Sequence, residues 1–396
     1  MSPTRSGGAG RSRSASPSSP GPRSSPPWPG APGCCSGRRA AQGVGAAVLS
    51  PAAMALLVGR FPEGPSRTRA LAIWSSVGAA AASTGVLAGG VLAELLGWRS
   101  IFLANVPLGL AALAAVPALP AVARTSVRPS LRAALLATAA LVALVHALGR
   151  VGDGELLEPS LAAAAGLALG ACFVRRERRA AQPLVPRAVL GSRVRAAALA
   201  VGFVHGGMML GTYLLLPLVM QQALGYSPIE AGLGLLALRG SSIGWARVAR
   251  RGIDVLGAPR VVGIGAAAMI VGQLLLLRVD ATSGYAGGLL PALVVLGLAI
   301  PCLFVGVSVL ALEGVPGEHA GAASGLLTAA QWSGGAVGLA LVTAAAAAGA
   351  GPLADAAASF HAGVAACAGL GAVGLALAVA LVAVHRRATA VSPTTA

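Results

Sequence analysis

From Arg38 onward the chain is built of long apolar runs separated by short clusters rich in Arg, Gly and Pro. Eleven such runs can be marked, at about 40–58, 70–95, 100–119, 131–149, 159–174, 196–220, 229–248, 261–278, 286–311, 321–348 and 361–384. The first, Ala40 to Val58, is nineteen residues long, which as a helix crosses a ~30 Å hydrocarbon core. Several runs exceed twenty residues, so tilt or interfacial turns are expected. The shortest, 159–174, is the weakest span by length. The pattern predicts an all-α polytopic membrane protein.

Composition agrees. Hydrophobic residues are 56% of the chain and charged ones 10%, with a mean hydropathy of +0.79; a soluble chain of this size needs far more charge to cover its surface. The net charge of +17 does not point to nucleic acid, because the arginines sit in short loops between apolar runs and not on one soluble face. All 29 basic residues are Arg, and Asn105 is the sole asparagine, a bias typical of GC-rich coding. Cys34 and Cys35 are adjacent and Cys172, Cys302 and Cys367 stand alone. That is neither metal-ligand spacing nor a disulfide framework, so no metal and no cofactor are expected.

Arginine placement predicts the orientation. The loops 59–69, 120–132, 175–195 and 246–260, with the C-terminal Arg386 and Arg387, hold nineteen arginines; the alternate loops hold Arg99, Arg150 and Arg278 together with Asp153, Glu155, Glu158 and Asp280. The positive-inside rule puts the first set, and the C-terminus, in the cytoplasm. Residues 1–36 are Ser, Pro, Gly and Arg with little apolar content, the composition of a disordered tail. They are also what GC-rich DNA gives in a wrong frame, so a frame error or mis-set start is expected there. Alternation would leave that arginine-rich tail outside, a conflict removed by an odd number of further spans upstream.

The stretch Arg38–Gly109 carries specific motifs. Arg39, Gln42, Gly43 and Gly45 match an Arg-x-x-Gln-Gly-x-Gly span entry. Gly85, Gly89 and Gly90 match Gly-Pro-x-x-Gly-Gly, with Val86 in place of the proline; Gly97 through Gly109 match Gly-Trp-Arg-x-Ile-Phe-x-x-Asn-x-Pro-x-Gly. Further on, Arg251, Asp254, Gly257 and Arg260 match an Arg/Asp/Gly/Arg loop, and Val315–Gly338 a later span entry in which Thr328, Gln331 and Trp332 depart from the usual residues. In these the chain resembles the major facilitator superfamily, in particular its fourteen-span drug/proton antiporter branch, apparently lacking the first three spans.

The resemblance implies a major-facilitator helical bundle. Residues 37–119 would be the remnant of the N-terminal bundle, 120–195 two linking spans and a basic loop, and 196–396 the C-terminal six-span bundle. It implies a secondary exporter of small hydrophobic or cationic compounds in the plasma membrane, monomeric and driven by a proton gradient. Arg39, Gln42, Arg251, Asp254 and Arg260 would serve proton coupling and gating, with Asp254 as a latch. Gly43, Gly85, Gly89, Gly90 and Gly257 would be helix-packing positions, joined by Gly334, Gly335 and Gly338.

Polar residues within spans are functional candidates because burying them is costly. His205, Met208, Thr212, Tyr213 and Gln221 on one span, with Gln331, are the candidate substrate cavity. Arg239 lies mid-span, where an arginine costs ~2.5–3.5 kcal/mol on insertion scales, and must meet a wet cavity, a carboxylate or an interface. No carboxylate falls mid-span. An inactive truncated carrier is the alternative reading. A membrane-embedded transferase is disfavoured, since Asp254 and Asp280 stand alone where such enzymes cluster acids around a metal.

In a background cleared of native cysteines, Ser66→Cys should resist an impermeant thiol reagent in intact cells while Gly154→Cys is labelled. Labelling at 66 and not at 154 overturns the orientation.

Overall fold

The computed structural model describes residues 32–97, 99–118, 130–150, 157–180, 183–185, 189, 191–280, 282–316, 319–349 and 356–391. The chain forms two units, residues 1–47 and 48–396. Of the first, the described part is the start of one helix, exposed from Ala41 to Ala47. That helix, α1 (Pro32–Arg60), begins inside the stretch expected to be a tail; proline fits a first turn, where its missing N–H has no partner to lose. Residues 1–31 lie outside the described residues.

In chain order there follow α2 (Pro65–Leu96), α3 (Arg99–Ala115), α4 (Leu131–Gly149), α5 (Leu157–Arg179) and α6 (Arg193–Leu218). The remainder are α7 (Pro228–Leu256), α8 (Ala258–Leu276), α9 (Leu290–Leu312), α10 (Ala320–Gly349) and α11 (Ala356–Val391). These helices correspond one for one to the apolar runs, and among the described residues there is no strand. Nine of them are long and apolar enough to cross a membrane, the short 159–174 run among them within a 23-residue helix. The basic stretch 246–260, expected to be a loop, is helical except at Gly257. There φ is +85°, a conformation that favours glycine, and the chain passes directly from α7 into α8. At the other end of α7, the Ser227 hydroxyl accepts from the Glu230 N–H and the Glu230 carboxylate from the Ser227 N–H, at 3.2 and 2.8 Å, closing a capping box.

Helix α9 is the centre of the packing. It touches α2, α6, α7 and α8, and its span is the most buried of the nine. Lipid gives helices no hydrophobic reason to associate, so close approach through small residues must supply the contact. The α6–α10 crossing shows this. A Cβ at Gly207 would lie 2.9 Å from the Gly334 carbonyl, one at Gly206 would run into the Gln331 carbonyl, and one at Gly338 into the Gly207 backbone. Gly334, Gly335 and Gly338 therefore pack closely, as expected. Their partners on α6 went unnoticed in the sequence, although the spacing of Gly206, Gly207 and Gly211 carries the signal.

The earlier glycines behave differently. A Cβ at Gly85 or Gly89 would meet no atom within 4 Å, Gly43 is exposed and Gly90 half-buried. Gly257 ends a helix and packs on no neighbouring helix, its hypothetical Cβ meeting only Pro259 at 3.8 Å. At Gly43, Gly85, Gly89 and Gly257, then, no second backbone among the described residues comes within 4 Å of a Cβ. α3 buries no residue at all.

Gly338→Ala should lower stability by about 1–3 kcal/mol through overpacking, read as the thermal unfolding midpoint in detergent. Gly85→Ala should leave it unchanged or raise it by up to about 1 kcal/mol through helix propensity. Equal effects at the two sites contradict the assignment of the close contact.

Candidate functional site: a clasped helix end and an arginine in the bundle

At one end of the bundle a cavity of about 450 Å³ lies between the start of α2, the α7–α8 junction and the ends of α9 and α11. Glu63, Arg67, Asp254, Glu313 and His385 are among its lining residues. The last carbonyls of α9 point into this region, and a helix end leaves them without intrahelical partners. Two arginines take them. Arg195, buried near the start of α6, donates from Nε to Ala311 O at 2.9 Å, from Nη2 to Glu313 O at 2.7 Å and from Nη1 to Val189 O at 2.6 Å. Cations are favoured at a helix C-terminus by the macrodipole as well.

Arg67, from α2, donates from Nη1 to Leu312 O at 3.4 Å and to Glu63 Oε1 at 3.2 Å, and from Nε to Phe61 O at 3.1 Å. Glu63 Oε1 also accepts from the Gly314 N–H at 2.9 Å. α2 is thus fastened to the end of α9 by one carboxylate and one guanidinium. In the sequence these three residues counted only as loop charge. The four-residue spacing of Glu63 and Arg67 at a helix start, and Arg195 three residues after the N-cap Ser192, were the available signals.

Asp254 lines the same cavity but pairs with Arg250 of its own helix at 3.2 Å, both about one-third exposed. The expected partners are elsewhere: Arg251 is exposed, and Arg260 donates to Leu256 O at 3.3 Å. The α7 helix continues through this segment, so residues four apart meet. A surface pair of this kind contributes about 0.3–0.5 kcal/mol. Gln42 is exposed, and the Arg39 side chain lies outside the described residues.

The expected substrate-cavity residues do not share one lining. His205, Met208 and Thr212 are buried in the packed interior. Thr212 Oγ1 donates to Met208 O and accepts from Gln273 Nε2, both at 2.7 Å; Gln331 is half-buried against α6 and Gln221 exposed. Met208 packs toward Gly371 of α11 and Thr212 is held by Gln273 of α8, so those two helices cover this face. Tyr213 differs. Its hydroxyl accepts from Arg239 Nη1 at 2.6 Å, and the guanidinium carbon lies 4.0 Å from its ring centroid. Arg239 has therefore found a phenol, not an acid. Among the described residues no three or more His, Cys, Asp or Glu gather as a metal site.

Among the described residues, eleven helices with close glycine crossings and a charged, clasped bundle end make an all-α polytopic membrane protein. The chain matches the Major Facilitator Superfamily over residues 37–339 and belongs to that family. It is 38% identical to the puromycin resistance protein of Streptomyces alboniger, across 77% of this chain and 62% of that protein. It is 36% identical to the cephamycin export protein of Amycolatopsis lactamdurans, across 77% and 64%, and 33% identical to the tetracenomycin C resistance and export protein of Streptomyces glaucescens, across 77% and 57%. The chain thus spans about three-fifths of the length of these relatives, whose descriptions accord with the drug-efflux branch.

Arg195→Met removes charge-assisted hydrogen bonds from the carbonyls of Val189, Ala311 and Glu313 and should cost about 2–3 kcal/mol of stability. Arg195→Lys, a single point charge without the planar fork, should recover only part of it. A midpoint of detergent unfolding in Arg195→Met equal to that of the parent chain contradicts the capping role.

Proposed function

We propose that the chain works as an exporter of small hydrophobic or cationic compounds, driven by a proton gradient and moving by alternating access of two half-bundles. In this reading residues 37–119 belong to the first half, 120–195 link, and 196–396 form the second. The end bearing Arg67, Arg195 and the C-terminus faces the cytoplasm of a plasma-membrane monomer. The resistance and export descriptions of the relatives support efflux.

The carrying observation is the unequal grip on the end of α9. Arg195, at the start of α6, holds it by two short bonds, to Ala311 O and Glu313 O. Arg67 and Glu63 hold it from α2 by partly exposed contacts, Glu63 being 49% exposed. Such an exposed pair contributes about 1 kcal/mol or less, within the range a bound substrate or proton can offset. One clasp is permanent and the other can release.

A second reading, that these residues alone do not transport, is favoured by α3, which buries nothing, and by the uncovered Gly85 and Gly89. Nile red efflux from preloaded cells separates the two. The exporter reading expects efflux above that of empty-vector cells and its loss on adding a protonophore. Efflux indifferent to the protonophore removes proton coupling, and none above background favours the second reading.

A further inference from the structure

Arg239 is the eleventh residue after the first of α7, about 16 Å along the helix, deep in a membrane-spanning bundle. Nη1 is engaged by the Tyr213 hydroxyl and the guanidinium stacks on that ring. Neither contact neutralises the charge, and among the described residues no carboxylate pairs with it. Nε and Nη2, the edge that fits a carboxylate with two parallel bonds, have no acceptor among the described residues.

Beside Arg239 the α7 face is open: Gly240 and Gly244 are both exposed, and a Cβ at either would meet no atom within 4 Å. One turn along α7, the Ser242 hydroxyl is 1% exposed and has no hydrogen-bond partner among the described residues. Next to Tyr213, Thr212 holds Gln273 by its amide nitrogen and leaves the buried Gln273 Oε1 unpartnered. α6 packs chiefly on α10 and α11, and α7 on α9 and α2, so the Arg239–Tyr213 contact bridges a seam between two helices that otherwise barely touch.

We infer that Arg239, oriented by Tyr213, is a recognition site for a carboxylate-bearing amphipathic compound. The carboxylate takes the free Nε–Nη2 edge and the apolar body lies along the seam beside Gly240 and Gly244. Tyr213 holds the guanidinium in place through its hydroxyl and ring face. Calling this ligand transported rests on the exporter reading; its binding does not. The site selects against cations, which Arg239 repels, so a compound held there is anionic and not cationic.

Two probes that differ only at the reacting end test it: 1-pyrenebutyrate and the neutral 1-pyrenebutanol, binding to the full chain in lipid nanodiscs, read by quenching of tryptophan emission against empty-nanodisc partitioning. The chain should bind the carboxylate about tenfold more tightly than the alcohol, the scale of a charge-assisted hydrogen-bonded pair. Arg239→Gln should erase the preference, Arg239→Lys keep part of it, and Tyr213→Phe reduce it about threefold without abolishing it. Equal binding of the two probes by the parent chain, or a preference surviving in Arg239→Gln, overturns the inference. Dye efflux fails independently: a carboxylate preference without efflux removes the exporter reading and leaves the site standing, while efflux without the preference does the reverse.

Discussion

A helix that ends in a low-dielectric bundle leaves carbonyls that water cannot reach, and each must find a donor from the protein. The end of α9, a helix packed against α2, α6, α7 and α8, shows this constraint. Arg195 answers it for Ala311 and Glu313, and Arg67 for Leu312. Since Arg195 enters from α6 and Arg67 from α2, satisfying one helix end also ties two parts of the chain together. Glu63, accepting from both Arg67 and the Gly314 N–H, makes that second tie a charged pair open to solvent. The same electrostatic need thus yields a fixed joint and a releasable one at neighbouring residues.

Packing above this end follows a different rule. Where α6 meets α10, glycines on both sides allow backbone-to-backbone approach, and van der Waals contact holds the pair in the absence of a hydrophobic drive. His205, Met208 and Thr212 lie in the packed interior, Met208 toward Gly371 of α11 and Thr212 on Gln273 of α8. Along the α6–α7 seam contact is sparse, and Arg239 reaches across it to Tyr213.

Much of the architecture could be read in advance. Apolar runs gave the helices, since in lipid length and hydropathy nearly determine them, and the run at 131–149 is α4 to the residue. The extent of α7 could not be read, because charged residues near a membrane surface look alike in a loop and in a helix; only the φ of Gly257 shows where the turn falls. The gating residues were harder. Asp254 belongs to a recognisable pattern yet pairs within its own helix, while Arg67 and Arg195 act through backbone carbonyls, which leave no trace in side-chain identity. Arg239 was visible as a misplaced charge, but its partner Tyr213 lies on another helix and only the packing brings the two together.

The central claim, that Arg67 holds α2 against the end of the bundle, is tested most directly by pulsed electron–electron resonance. Spin labels at Ser66 of α2 and at Pro316, just beyond the end of α9, both exposed, would be placed in a cysteine-cleared chain in nanodiscs. The account predicts one narrow distance distribution in the parent and an added population at longer distance in Arg67→Ala. Superimposable distributions would contradict it.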